Sequence, residues 1–253
     1  MRFHKTLAAT VGGLPFTLGL LGLAPGLAWP QGTYSTNFPF TENPISEKGY
    51  WINGKAVGLD WQNVRTTASR AFGTQTGSSG KYDDSTAILT GTWGPDQTVQ
   101  ATVYVVDAPA QPGAEEVEVR VRSAIRAHRC TGYEINFSTS KGRSSGSYIQ
   151  FVRWNGPLGD YTILATYRGL QYGVAEGDVV KVTIVGTSPA KLTAYVNGAP
   201  MGQATDPIPF TSGSPGMGFW LNVWRLNAAN YGFTYFSATD GSSGRSSPPP
   251  LHQ

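Results

Sequence analysis

The stretch EVEVRVRSAIRAH, residues 116–128, decides how this chain folds. Its odd positions are Val117, Val119, Val121, Ser123, Ile125 and Ala127. Its even positions are Glu116, Glu118, Arg120, Arg122, Ala124, Arg126 and His128. Successive side chains of a β-strand point to opposite faces, so the alternation predicts one strand with an apolar face and a charged face. In an ordinary antiparallel sheet the charged face simply meets water. Two features argue for more than that. Only 14% of the chain is charged, so a local cluster is unusual. The strands that follow also keep polar and aromatic groups on one parity.

Tyr133–Phe137 places Tyr133, Ile135 and Phe137 on one face, with Glu134 and Asn136 on the other. A hairpin loop, KGRSSGS at residues 141–147, leads to Tyr148–Trp154, where Tyr148, Gln150, Val152 and Trp154 share a parity. Sequential strands commonly pair. As antiparallel neighbours, these three strands would gather Glu118, Arg120, Arg122, Arg126, His128, Glu134, Asn136, Tyr148, Gln150 and Trp154 on one face. These are the candidate ligand-binding residues. The structural alternatives are an Arg122–Glu134 cross-strand pair, a surface His128 and a core Trp154.

Further strands are expected at Gln100–Val106, Tyr161–Tyr167, Val179–Val185, Lys191–Val196, Gly216–Val223 and Tyr231–Ala238, with a loop at Pro207–Pro215. The Val179 and Lys191 strands read as a hairpin-like pair. Asn53-Gly54 and Asn197-Gly198 are turn pairs, the former a hairpin signal. Trp51 and Trp61 flank the first turn and are expected to be buried rather than exposed as a sugar platform. Asp83-Asp84 lacks the spaced ligands of a calcium loop and reads as a solvated turn. No window carries an apolar stripe of helical period free of Gly or Pro. With 32 Gly, 17 Pro and 40% hydrophobic residues in 253, about a dozen short strands between turns imply an all-β sandwich.

Met1–Ala28 reads as a secretory signal peptide: Arg2, His4 and Lys5 precede an apolar run that ends in small residues. An uncleaved membrane anchor is the alternative. The expected organisation is a leader at 1–28, one sandwich domain at 29–240 and a disordered tail at 241–253, GSSGRSSPPPLHQ. Cleavage would make the protein secreted, extracellular or periplasmic, with no further membrane attachment. Without Arg2 and Lys5 the chain carries 17 basic and 16 acidic residues, which gives no sign of a nucleic-acid partner. The lone Cys130 cannot form an intramolecular disulfide, so stability must come from the core. Beside Arg129, Cys130 reads as a small residue at a strand end rather than a reactive thiol.

The runs YEINF (133–137), YIQFVRW (148–154), KVTIVG (181–186), KLTAYVNG (191–198), GMGF (216–219) and Phe233–Asp240 together resemble the concanavalin A-like lectin/glucanase superfamily. The resemblance spans roughly Phe38–Asp240, more loosely toward its start. It implies a jelly roll of two curved antiparallel sheets whose concave face holds a glycan. It also implies that a structural Ca²⁺ can sit near the chain ends, where Asp240 is the residue to watch. The sequence shows no full ligand set for a metal, and no other cofactor is expected.

Fold alone does not choose a function. The first reading is a carbohydrate-binding, lectin-like domain for a polysaccharide or oligosaccharide. A ring such as Trp154 or Tyr148 would stack on sugar while Arg, Asn, Gln and Glu bond its hydroxyls. The alternatives are a polysaccharide lyase, a glycoside hydrolase, or a structural or adhesion protein. A lyase would draw its catalytic residues from His128, Tyr148 and Arg122, an acid–base pair and a group to neutralise the uronate. A hydrolase of this superfamily carries E-x-D-x-E, where this chain has Glu116, Glu118 and Arg120. Glu116 and Glu118 share a face about 6.7 Å apart at the α-carbons.

Overall fold

The computed structural model describes residues 32–76, 84–106, 115–139, 143–222 and 227–241. The expected leader at Met1–Ala28, Asp83 and the tail beyond Gly241 lie outside these residues. Among the described residues, strands numbered in chain order form two sheets with antiparallel pairing throughout. One sheet holds β1 (Thr33–Thr36), β3 (Val64–Thr67), β4 (Arg70–Gly73), β6 (Gln97–Val105), β11 (Val179–Val185), β12 (Ala190–Val196), β13 (Ala199–Asp206) and β15 (Tyr231–Thr239). Its order is β13-β12-β11-β6-β15-β4-β3, with β1 also on β15. The other holds β2 (Trp51–Asn53), β5 (Ser85–Leu89), β7 (Glu115–Arg126), β8 (Arg129–Ser138), β9 (Tyr148–Trp154), β10 (Tyr161–Arg168) and β14 (Ser214–Leu221). Its order is β10-β9-β8-β7-β14-β5-β2. This is the jelly-roll sandwich that the sequence implies.

The core lies between the sheets. Val117, Val119 and Val121 of β7, Ile135 and Phe137 of β8, and Ile149 and Phe151 of β9 are fully buried there. Val180, Val182 and Ile184 of β11, with Phe233 and Phe236 of β15, belong to the same cluster. Each such side chain stabilises the fold by roughly 1.5–3 kcal/mol relative to exposure. Because the apolar parity of β7 is taken by this core, its charged parity must face outward from the sandwich.

The structure corrects several expectations. Ala199–Asp206, unassigned in the sequence, is edge strand β13, joined to β12 through the Asn197-Gly198 turn. Asn53-Gly54 makes no hairpin; Gly54 opens a 3-10 turn at Lys55–Val57. Asn53 is buried instead, its amide donating to the Ile45 carbonyl at 2.6 Å and accepting from the Val64 N–H at 3.1 Å. Asp84 is not a solvated turn residue but is buried. The strand expected to run through His128 stops at Arg126, and its regular alternation stops earlier.

That break is a β-bulge. Val121 faces Tyr133 and Ala124 faces Thr131, so Arg122 and Ser123 together oppose Gly132. Arg122 has φ 47°, a backbone state unusual for a side-chain-bearing residue. Glycines on both neighbouring strands make room for it. A Cβ on Gly132 of β8 would lie 2.4 Å from the Arg122 carbonyl oxygen, and one on Gly213, just before β14, would lie 2.3 Å from the Arg122 carbonyl carbon. Beyond the bulge the parity of β7 is reset.

Candidate functional site

The outward face of the second sheet carries a groove of about 530 Å³ over β8, β9, β10 and the flanking ends of β7 and β14. Register explains the gathering. Glu118 pairs with Asn136, Arg120 with Glu134, Asn136 with Gln150, and Tyr161 with Trp154. Residues facing each other across strands share a face. Glu116, Glu134, Asn136, Tyr148, Gln150 and Trp154 all line the groove. Asp84, Tyr161, Arg168, Trp220 and Asn222 complete much of its wall.

Glu118 and Arg120 share this parity but lie beneath the groove, both fully buried. Arg120 Nη2 donates to Glu118 Oε2 at 2.8 Å, forms an ion pair with Glu134, and lies 3.6 Å from Asp84 Oδ2. Its guanidinium stacks 4.7 Å from the Trp61 ring centroid. Trp61 arrives on the segment that follows the 3-10 turn, which crosses the outside of the sheet; the His128 N–H donates to Gly58 there at 3.0 Å. Under this roof Leu59, Trp61, Cys130, Val152 and Trp154 make a second apolar cluster. Gly218 of β14 leaves the space the charges need, since a Cβ there would fall 2.0 Å from Glu118 Oε2.

Two carboxylates reach the groove through these partners. Glu134 Oε2 accepts from Trp154 Nε1 at 2.7 Å as well as from Arg120. Glu116 accepts a short hydrogen bond from the Tyr148 hydroxyl. Burial first, then Glu134 and Asp84, push the Glu116 carboxyl well above the ordinary range. Burial likewise raises Glu118, with Asp84 and Glu134 adding to it and Arg120 opposing it. Burial works against the charge of Arg120, but Glu134 and Glu118 more than offset it and hold the guanidinium protonated. Cys130 sits 4.0 Å from Arg120 Nη1, and burial pushes its thiol up to about 12 despite that cation. It is a buried packing residue.

Three rings pack in series at one end of the groove. Trp154 packs edge-on to Trp61 at 4.5 Å between centroids and lies 5.3 Å from Tyr161 on its other side. The Arg168 guanidinium covers the Tyr148 ring at 5.2 Å. Gln150 donates to Thr166 Oγ1 at 3.0 Å. Asn136 is only 6% exposed, and its side-chain oxygen has no hydrogen-bond partner among the described residues.

Arg122, Arg126 and His128 do not join this face. The bulge turns Arg122 away: its guanidinium donates to the Phe210 and Gly186 carbonyls, both at 2.8 Å, and to that of Pro95. It ties three loops together rather than pairing with Glu134. Arg126 is exposed opposite Arg129 at the end of the hairpin. His128 is in the turn, its side chain 78% exposed and 2.7 Å from Asp60 Oδ1. The lyase constellation of His128, Tyr148 and Arg122 is therefore not assembled.

Nor do the acidic residues fit a metal ion. Asp84, Glu118 and Glu134 bring carboxylate oxygens within 4.8 Å of one another, but Arg120 Nη2 already lies among them. A second cation there would meet the first at contact distance. Asp240 accepts from the Gly94 N–H at 2.9 Å and fastens the end of β15 to the loop before β6.

Trp61 is buried as expected, while Asp84, Tyr161, Arg168, Trp220 and Asn222 are groove residues that the sequence does not mark. Gly216 and Gly218, alternating in SPGMGFWL, are the available signal for Trp220. Small residues on one parity beside a charged strand mark where large groups converge from neighbours.

No protein-family model matches the sequence, and no curated protein sequence matches it. Solved structures do match. The carbohydrate recognition domain of Emp46p, in its metal-free form, superposes with a TM-score of 0.54 at 13% identity over 82% of this chain and 96% of that one. The exoplasmic/lumenal domain of VIP36, in its Ca²⁺/Man3GlcNAc-bound form, does so with 0.52 at 10% identity over 84% and 90%. This chain thus shares the two-sheet jelly-roll fold of those domains. No helix among the described residues is long and apolar enough to cross a membrane.

Proposed function

We propose that this chain is a secreted carbohydrate-binding, lectin-like domain that holds a polysaccharide or oligosaccharide in the groove over β7–β10 and β14. The observation that carries this reading is the juxtaposition of aromatic rings with hydrogen-bonding side chains in one open cavity. Sugar rings stack their C–H faces on aromatic groups while carboxylates and amides bond their hydroxyls. Tyr161 and Trp220 supply partly exposed rings, backed by the buried rings of Tyr148 and Trp154; Glu116, Glu134, Asn136 and Gln150 supply the polar groups. The glycan-binding domains with the same fold support the class of ligand. The leader at Met1–Ala28 supports export, with the domain at 29–240 and the tail at 241–253 as the mature chain.

Chromatography of the mature protein on immobilised neutral, amino and uronate polysaccharides tests the reading, with reducing ends and unsaturated-uronate absorbance followed in parallel. Retention by one class without product is the expected result. Trp220→Ala and Tyr161→Ala should each weaken that retention about tenfold, the worth of one stacking ring. Retention by no polymer overturns the proposal; products would replace it with an enzymatic one.

A further inference from the structure

The charges of the groove select among sugars. Asp84, Glu116 and Glu134 line it, and Glu118 lies directly beneath. Against these four carboxyl groups stand two guanidiniums. Arg120 is fully buried and engaged by Glu118 and Glu134, so it offers a ligand nothing. Arg168 is at the rim, over Tyr148. A uronate entering this groove would bring its carboxylate toward Asp84, Glu116 and Glu134, with Arg120 already engaged below and only Arg168 free to pair with it. A cation would meet carboxylates and the negative faces of aromatic rings together. The buried Asn136 oxygen, unpartnered and on the groove wall, is an acceptor that needs a donor.

We propose that the groove selects sugars bearing a free ammonium group, the 2-amino-sugar class, over their N-acetylated and uronate counterparts. The proposal rests on the glycan-binding reading and names its ligand. Glu116 is the group best placed to pair with the ammonium. It faces Glu134 on β8, Tyr148 on β9, Arg168 on β10, Asp84 before β5, and Glu118 on its own strand, with Arg120 below. Burial, Glu134 and Asp84 raise its proton affinity, so a proton and an ammonium would compete for the same carboxyl. An arriving ammonium would release to solvent any proton held there, and neither covalent bond nor redox state changes.

Titration calorimetry of the full chain with three probes at pH 5.5 tests this: a glucosamine tetramer with free amines, the N-acetylated tetramer, and tetragalacturonate. The free-amine tetramer should bind at least tenfold more tightly than either other probe, with proton release detected across buffers of different ionisation heat. Glu116→Gln should cut that preference several-fold and abolish the release. Arg168→Gln, at an exposed position where folding is not at stake, should raise the preference. A preference for the acetylated or uronate tetramer overturns the ammonium assignment while leaving glycan binding intact. If a neutral polysaccharide binds and none of the tetramers does, the assignment fails in the same way. Binding of no glycan at all overturns both.

Discussion

Arg120 is the residue on which the floor of the groove depends. It sits in a fully buried position where an unpaired charge would be prohibitive, and it is stable there because Glu118 and Glu134 hold one nitrogen while Trp61 covers the guanidinium plane. Removing it leaves buried carboxylates without their cation. Arg120→Met should therefore cost about 3–5 kcal/mol in denaturant unfolding at pH 8. The carboxylates then have raised folded-state pKa values, so the folded state binds more protons than the unfolded one. Stability of the variant must fall as pH rises through those values, and the deficit relative to the parent should shrink toward pH 4. A loss below about 1 kcal/mol at pH 8 would show that the carboxyl groups are neutral already. The parity of residues 116–120 made this position legible in the sequence. Its partner was not: the sequence reading offered Arg122 to Glu134, one pair of residues too far along the strand.

At the scale of the element, that slip has one cause, the bulge at Arg122 and Ser123. Alternation is informative only while the ladder is regular, and one inserted residue exchanges the faces for everything beyond it. Arg122, Arg126 and His128 were all carried onto the groove by counting through the bulge. Glycine was the only sign that counting should stop. Gly132 and Gly213 have φ of 120° and 127°, and both press on the Arg122 backbone from opposite sides. Gly132→Ala and Gly213→Ala should each destabilise the protein by roughly 2 kcal/mol or more, from a strained backbone and a Cβ with no space. Because both act on one bulge, the double variant should lose clearly less than the sum of the two. Thermal or urea unfolding of the set measures this, and strict additivity would mean that the bulge relaxes independently on its two sides. By contrast, β9 and β11 were readable to the residue, since each is a regular alternating run bounded by turns.

At the scale of the molecule, the sandwich was legible because its two sheets impose the same rule on every strand: one parity into the shared core. What the sequence could not show was which segments cross over the outside. The roof that carries Trp61 has no period at all, and Asp84 becomes a groove residue only through the position of β5 beside β14. Long-range placement of this kind depends on topology, which local pattern does not encode.

The first and last strands have a consequence of their own. β1 lies against the end of β15 with Thr33 opposite Thr239, and the Asp240 N–H donates to the Gly32 carbonyl at 3.0 Å. The polypeptide thus enters and leaves the sandwich at a single point, on the sheet that does not bear the groove. Circular permutation should be tolerated: a short Gly/Ser bridge from Gly241 to Gly32, with new ends opened between Gly198 and Ala199, should give a protein that melts cooperatively and keeps its ligand. A permutant that aggregates would show that β12 and β13 must be joined for the edge to form. Such a doorway also makes the sandwich a cassette. Spliced into a loop of a host protein, or strung in series, each copy would hang from its host by one narrow neck with its groove turned outward, and weak single contacts would add up to firm attachment on a repetitive surface.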